Sequence, residues 1–150
     1  MYEAQEAVFR ICREGTPFST IEDTAAAVLA RGLLKLGIIK DAEEVYTYYP
    51  HGCSHFLGLD VHDKGEYLTL KENMVITVEP GIYIPPNSAC DKKWWNIAVR
   101  IEDDVRIDKK TMELLTHLAP RKTQDIEKVM TEKSFTDGLI ISLPTPKKGF

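Results

Sequence analysis

The chain has 150 residues, of which 43% are hydrophobic, 28% charged and 9% aromatic, and its formal net charge is −4. These fractions are typical of a soluble globular domain with a single core, and they argue against a disordered or collagen-like chain. No apolar run reaches the roughly 18–20 residues of a membrane helix, and the acidic balance gives no electrostatic reason to expect nucleic acid or a membrane as a partner.

The first third of the chain predicts two helices. Apolar residues recur at helical spacing over residues 4–12, and the turn residues at 15–17 end that pattern. Ser19 stands three residues ahead of Glu22, which fits a capping box at the start of a second helix. The apolar stripe of this second helix ends just before Gly37, which we expect to be its C-cap.

The rest of the chain changes to the alternating pattern of strands. Strands are predicted at residues 74–79, 82–84, 97–107 and 112–118. A short helix is predicted from Thr123, as its N-cap, to about Met130. Helices first, then strands, then a helix predict an α+β fold with a mainly antiparallel sheet. We expect one domain over residues 1–130 and a poorly ordered C-terminal tail over residues 131–150.

The cysteines indicate the compartment. Cys12, Cys53 and Cys90 are widely spaced and odd in number, so they form no CxxC motif and argue against a secreted disulfide framework. The first ten residues are amphipathic and acidic, unlike the basic start of a signal peptide. We therefore expect a reduced, cytoplasmic protein.

A histidine cluster is the first candidate for chemistry. His51, His55 and His62, three of the four histidines, lie in the window HGCSHFLGLDVHD. Histidine is the commonest metal ligand and titrates near neutral pH. Polar histidines in a glycine-rich loop are also found exposed and without function. The window alone leaves both interpretations open.

Two carboxylates on predicted strands are the next candidates. Glu79 ends the strand at residues 74–79, where a solvated end position is the ordinary alternative to a functional one. Alternation along residues 97–107 places Arg100 and Glu102 on one face, and in a central strand both charges would be buried and need partners. They form either a bare ion pair or a metal-binding carboxylate with an arginine beside it.

Together these residues have a consistent chemistry. One imidazole and two carboxylates from three separate segments suit a divalent ion such as Mn²⁺ or Zn²⁺. Neighbouring histidines can transfer protons or hold a developing negative charge. The set indicates metal-assisted hydrolysis.

The motifs HGCSHFLGLDVHD, VITVEPGIYIP and RIEDDV resemble, in this order, the C-terminal catalytic half of the aminopeptidase P and Xaa-Pro dipeptidase group. These enzymes are the pita-bread metallopeptidases of the creatinase/aminopeptidase superfamily. The resemblance covers residues 2–130 and implies the C-terminal half of the pita-bread fold. It also implies hydrolysis of the bond before a proline at position two of a peptide substrate, by a water that two metal ions activate.

The resemblance implies roles for six side chains. The metal ligands are His55, Glu79 and Glu102, of which the last bridges two ions. The catalytic residues around them are His51, His62 and Arg100, and both of these histidines also contact the substrate. The implied cofactor is a divalent metal, with Mn²⁺ first and Zn²⁺ or Co²⁺ as alternatives.

One departure from the family limits this hypothesis. The family's two other metal ligands are aspartates from an upstream hairpin, and neither Asp23 nor Asp41 has that setting. With three of five ligands, we expect one weakly held ion or none, and no activity of this chain alone. We also expect an exposed edge and apolar face that associate with the missing N-terminal half or with a second copy.

A non-catalytic pita-bread module that binds a protein or peptide is the alternative function. Such a module has no chemical need to keep His55, Glu79 and Glu102 together. Their joint presence therefore favours an enzyme-derived chain.

Overall fold

Residues 1–134 are described in the computed structural model. They form four α-helices, five short strands and two 3-10 turns. The helices are α1 (Tyr2–Phe9), α2 (Phe18–Lys35), α3 (Val45–Tyr48) and α4 (Thr123–Met130). The strands are β1 (Val75–Val78), β2 (Gly81–Ile84), β3 (Ile97–Arg100), β4 (Asp103–Ile107) and β5 (Met112–Leu114). The 3-10 turns are Ala42–Glu44 and Lys92–Trp94.

The chain divides into two compact units. The first spans Met1–Ala119 and holds α1 to α3 and the five strands, and the second begins at Pro120 and holds α4. The domain boundary that we place at residue 130 stays a prediction. Of the predicted C-terminal tail, residues 135–150 lie outside the described residues. Within the described part of the chain, no helix combines the length and apolar character needed to cross a bilayer.

The start of α2 differs from the sequence-based prediction. Pro17 is its N-cap and no side chain caps the first turn, so the capping box at Ser19 is wrong. The fixed φ of proline suits this position, and Ser19 falls inside the first turn. The Glu22 carboxylate instead accepts hydrogen bonds from the Tyr49 hydroxyl at 2.9 Å and from the Cys53 N–H at 2.8 Å. Glu22 therefore joins α2 to the segment that leads into the histidine window.

The end of α2 agrees with the prediction. Gly37 has a φ of 68°, in the left-handed region where glycine carries no steric penalty. The Gly37 N–H donates to the Leu34 carbonyl, and the Ile38 N–H donates to the Leu33 carbonyl, each at 3.0 Å. These two bonds form a Schellman motif that satisfies the last carbonyls of the helix.

The strands form two antiparallel sheets, with the order β1-β4-β5 in one and β2-β3 in the other. The histidine window extends the first sheet, because its residues run antiparallel along the free edge of β1. The Thr77 N–H donates to the His55 carbonyl at 2.9 Å, and the Glu79 N–H donates to the Cys53 carbonyl at 2.8 Å. The prediction of helices with a mainly antiparallel sheet is confirmed.

Residues 97–107 form two strands, so the prediction of one continuous strand is wrong. β3 pairs with β2, and β4 pairs with β1. Both pairings share one register, with Val78 opposite Asp103 and Gly81 opposite Arg100. Pro80 interrupts the ladder between them because it has no N–H to donate. The register therefore places Glu79 opposite Glu102 at the interruption.

Two smaller predictions also need correction. β5 ends at Leu114 rather than at residue 118, because the Thr116 hydroxyl, not a backbone carbonyl, accepts from the Asp104 N–H at 3.1 Å. Thr123 is the first residue of α4 rather than its N-cap. Lys122 holds that position in an extended conformation, without a side-chain cap bond.

Two of the three cysteines lie in the core. Cys12 and Cys53 are each 1% exposed, and burial raises the pKa of each thiol to about 12. Cys90 is partly exposed. Since the thiolate is the reactive form, we expect one fast-reacting thiol in the folded chain at about pH 8. Kinetic labelling with a thiol-selective dye checks this, with Cys90→Ser as the control that removes the fast phase. A second fast thiol in the folded wild-type chain would contradict the expectation.

Candidate metal centre

His55, Glu79 and Glu102 converge in the structure. Each offers one ligand atom, and these atoms all lie within 4.8 Å of one another. The shortest contact joins His55 Nε2 to Glu79 Oε1 at 2.9 Å. The His55 and Glu79 side chains are 14% and 10% exposed, and that of Glu102 is 38% exposed. The cluster is thus half enclosed and open on the Glu102 side.

Three chain segments position these ligands. Glu79 follows β1, Glu102 lies between β3 and β4, and His55 lies in the segment bonded along the free edge of β1. The interruption at Pro80 turns a pair of carboxylates toward each other where a regular ladder would continue. A like-charged pair directly across a sheet is destabilising unless a cation compensates it.

The hydrogen bonds of His55 define its donor atom. Its Nδ1 lies 3.0 Å from the Phe56 carbonyl oxygen, which can only accept, so this bond assigns the proton to Nδ1. In the neutral ring, Nε2 then carries a lone pair and is a hydrogen-bond acceptor, 2.9 Å from the Glu79 carboxylate oxygen. Two hydrogen-bond acceptors at this distance attract each other only with a proton or a cation between them. A backbone bond at the second ring nitrogen is the usual arrangement of a metal-binding histidine. The residues present therefore fit a divalent metal ion.

The negative charge of the Glu79 and Glu102 carboxylates also favours a bound cation. Burial and then the Glu79 charge raise the pKa of Glu102, and the Arg100 guanidinium opposes that rise. Arg100 Nη2 lies 3.4 Å from Glu102 Oε2, and Arg100 Nε lies 3.9 Å from Glu79 Oε2. Because Arg100 is half exposed, it compensates only part of the negative charge.

The other two predicted histidines have different contacts. The His62 ring packs edge-on against the His55 ring, with 4.4 Å between the centroids. His51 contacts Tyr83, with its Nε2 2.9 Å from the Tyr83 hydroxyl. The Tyr83 hydroxyl also interacts with Arg100 and is the main cause of the raised pKa of the Arg100 guanidinium.

The strand that carries Arg100 is not central, so the burial that a central position would impose on Arg100 and Glu102 does not arise. β3 is exposed along its length, and among the described residues it pairs with β2 alone. Both charges therefore reach solvent, which leaves room for a ligand beside them.

Sequence reasoning missed two polar side chains of this centre. Thr77 is fully buried, and its hydroxyl donates to Glu79 Oε1 at 3.0 Å. Tyr83 links His51 to Arg100. Strand alternation places Thr77 on the face of Glu79, which was a usable signal. Tyr83 gave no such signal, because it meets Arg100 only through the pairing of β2 with β3.

A cavity of about 570 Å³ opens next to His51. Aromatic rings form much of its wall, and the polar groups include the Glu22 side chain. The aromatic residues are Phe18, Tyr46, Tyr49 and Tyr67. His55, Glu79 and Glu102 do not line this cavity, so it is a neighbouring space and not the metal centre itself.

The sequence matches the model of one protein family. The model of metallopeptidase family M24 matches residues 1–109, a range that contains all six predicted site residues. The Xaa-Pro aminopeptidase of Escherichia coli (strain K12) is 38% identical over 140 residues, covering 85% of this chain and 32% of that protein. Xaa-Pro aminopeptidase 3 of Rattus norvegicus is 37% identical over 141 residues, covering 88% and 28%.

Solved structures of similar proteins agree in fold. Aminopeptidase P from E. coli with the inhibitor Pro-Leu superposes with a TM-score of 0.81 at 38% identity, covering 86% of this chain and 32% of that one. Aminopeptidase PepP of Pseudomonas aeruginosa gives the same TM-score, identity and coverage. The chain thus spans about a third of the length of these relatives.

Proposed function

The chain belongs to metallopeptidase family M24, and we propose that it supplies His55, Glu79 and Glu102 to the metal centre of a proline-specific aminopeptidase. Its fold is that of the corresponding part of aminopeptidase P, so the predicted pita-bread architecture is confirmed. The proposed substrate is a peptide with proline at its second position, cleaved before that proline. The proposed ion is Mn²⁺, with Zn²⁺ and Co²⁺ as the alternatives that the same ligands accept.

One observation carries the proposal. Donor atoms from three separate chain segments come within 4.8 Å of one another, and the histidine nitrogen among them faces a carboxylate oxygen at 2.9 Å. This arrangement needs positive charge, and one histidine with two carboxylates is a donor set that divalent transition metals prefer.

Each residue of the centre has a proposed task. A divalent ion, when bound, supplies Lewis acidity that polarises a peptide carbonyl and makes water acidic at neutral pH. Arg100 places positive charge beside the two glutamates, 3.4 Å from Glu102 and 3.9 Å from Glu79. His62, packed against His55, and His51, bonded to Tyr83, carry the proton and substrate contacts around the scissile bond.

The charge balance argues that this chain supplies only part of the centre. Its three ligands carry two negative charges, whereas a pair of divalent ions carries four positive charges. Further carboxylates are needed to neutralise such a pair and complete its coordination. We propose that they come from outside these 150 residues, either from a complementary N-terminal half or from a second copy. Hydrolysis of Xaa-Pro peptides then requires those residues.

Calorimetric titration of the metal-stripped chain with Mn²⁺ tests this function. We expect one weakly bound ion per wild-type chain and none in Glu79→Gln, which keeps the shape of the side chain and removes its charge. The chain alone should not cleave Xaa-Pro peptides in the presence of Mn²⁺. Equal Mn²⁺ uptake by wild type and Glu79→Gln would refute the ligand assignment. Two tightly bound ions per monomeric chain would refute the partial centre.

A further inference from the structure

We infer that Thr77 is a positioning residue that fixes His55 and Glu79 relative to each other, so that both present their ligand atoms to the same point. This inference rests on the proposed metal centre. Thr77 is 0% exposed and lies on β1, one side-chain position before Glu79 on the same face. It reaches neither solvent nor substrate, so it acts through the two ligands that it contacts.

Three hydrogen bonds tie Thr77 to the two ligands. The His55 N–H donates to the Thr77 hydroxyl oxygen at 3.1 Å, and the Thr77 N–H donates to the His55 carbonyl at 2.9 Å. The Thr77 hydroxyl donates to Glu79 Oε1 at 3.0 Å. Since Glu79 Oε1 lies 2.9 Å from His55 Nε2, the contacts close a ring that contains both ligands.

The directions of these bonds follow from their chemistry. A backbone N–H can only donate, so the Thr77 oxygen must accept from His55. Its single proton is then free for Glu79 Oε1 alone. This bond selects one orientation of the Glu79 carboxylate. Glu102 lies outside the ring and takes its contact from Arg100. His55 and Glu79 are thus the two pre-arranged ligands of the three, and one buried hydroxyl group fixes their relative position.

Two substitutions separate the hydroxyl from the shape of the side chain. Thr77→Val keeps the β-branched volume and removes the hydroxyl, whereas Thr77→Ser keeps the hydroxyl and removes a methyl group. Thr16→Val is the matched control, because the Thr16 hydroxyl donates to the Ile11 carbonyl at 2.7 Å, far from the ligands in sequence and without contact to them. It reports the general cost of losing one such bond.

Hydrogen exchange of the metal-free chain tests the hydrogen bond between the His55 N–H and the Thr77 hydroxyl. In Thr77→Val the His55 amide loses its acceptor, and we expect its protection to fall by at least about 10-fold. The amides of Leu57 and Glu79 keep their backbone acceptors, the Val75 and Cys53 carbonyls, and serve as internal references. Thr77→Ser should retain the protection of His55. Unchanged protection of His55, or an equal loss at all three amides, would overturn the inference.

Titration with Mn²⁺ tests the consequence for the ligands. Loss of a group that orients a metal ligand typically costs about 10- to 100-fold in metal affinity, and we expect that loss in Thr77→Val. Thr77→Ser and Thr16→Val should stay within about 3-fold of wild type. If wild type binds Mn²⁺ and Thr77→Val binds it equally well, the inference fails. If wild type shows no uptake beyond that of Glu79→Gln, the proposed function fails instead.

Discussion

Glu102→Gln should lower the affinity of the chain for Mn²⁺ by more than about 100-fold while leaving it folded, because it removes a charged ligand rather than an orienting group. The amide keeps the shape of the carboxylate and stays opposite Glu79 in the register of the two strand pairs. Calorimetric titration at neutral pH measures the loss, and circular dichroism of the metal-free variant checks the fold.

The same substitution makes a prediction about pH. Burial and the Glu79 charge raise the pKa of Glu102 in the folded chain above its ordinary value. An acid whose pKa is raised on folding destabilises the folded chain once it ionises. The destabilisation is absent below the ordinary pKa and is complete above the raised one. Metal-free Glu102→Gln should therefore be more stable than wild type at neutral pH, and this difference should vanish in acid.

Glu66→Gln is the control for both measurements. The Glu66 carboxylate is 75% exposed and pairs with Lys71 at 3.8 Å, away from the three ligands. We expect neither Mn²⁺ affinity nor stability to change beyond the small effect of a surface ion pair. Wild-type Mn²⁺ uptake in Glu102→Gln would show that the ligand assignment at this position is wrong.

The sequence predicts that Glu79 and Glu102 belong to this centre, but it does not predict the strand break that places them opposite each other. Donor chemistry singled out both carboxylates, and alternation placed Thr77 on the face of Glu79. The break between β3 and β4 was not predictable from residues 97–107, where the apolar alternation continues without a gap. Its cause is Pro80, which lies between β1 and β2, the strands that pair with β4 and β3, and acts through that pairing. A local pattern does not contain that information.

Helix boundaries illustrate the same limit. Gly37 was predicted correctly as the glycine that ends α2, one residue after the C-cap Leu36, because only its own backbone conformation and the preceding turn determine the motif. The capping box at Ser19 failed, because Glu22 bonds instead to Tyr49 and to the backbone of Cys53. These partners come from a segment about thirty residues further along the chain. Tertiary partners therefore decided the role of a side chain that had a reasonable local one.

β3 exposes apolar side chains that its pairing with β2 does not cover, and we expect this surface to cause association. Ile82 and Ile84 of β2 are buried, and they pair with Val99 and Ile97 of β3. Paired residues share a face, yet Val99 is 45% exposed and Ile97 is 37% exposed. Among the described residues, the outer edge of β3 has no strand bonded to it. An exposed apolar edge strand of this kind favours pairing with another chain.

We therefore expect the chain to associate at micromolar concentration, with a second copy when no complementary half is present. Light scattering coupled to gel filtration should give a mass above that of the monomer.

Val99→Lys places a charge on the apolar face of the edge strand and should return most of the population to monomer. Lys92→Glu, in the exposed 3-10 turn before β3, is the control that changes charge without touching that face, and it should leave the mass unaltered. A monomeric wild-type chain would contradict the expected association, and association that survives Val99→Lys would place the contact elsewhere.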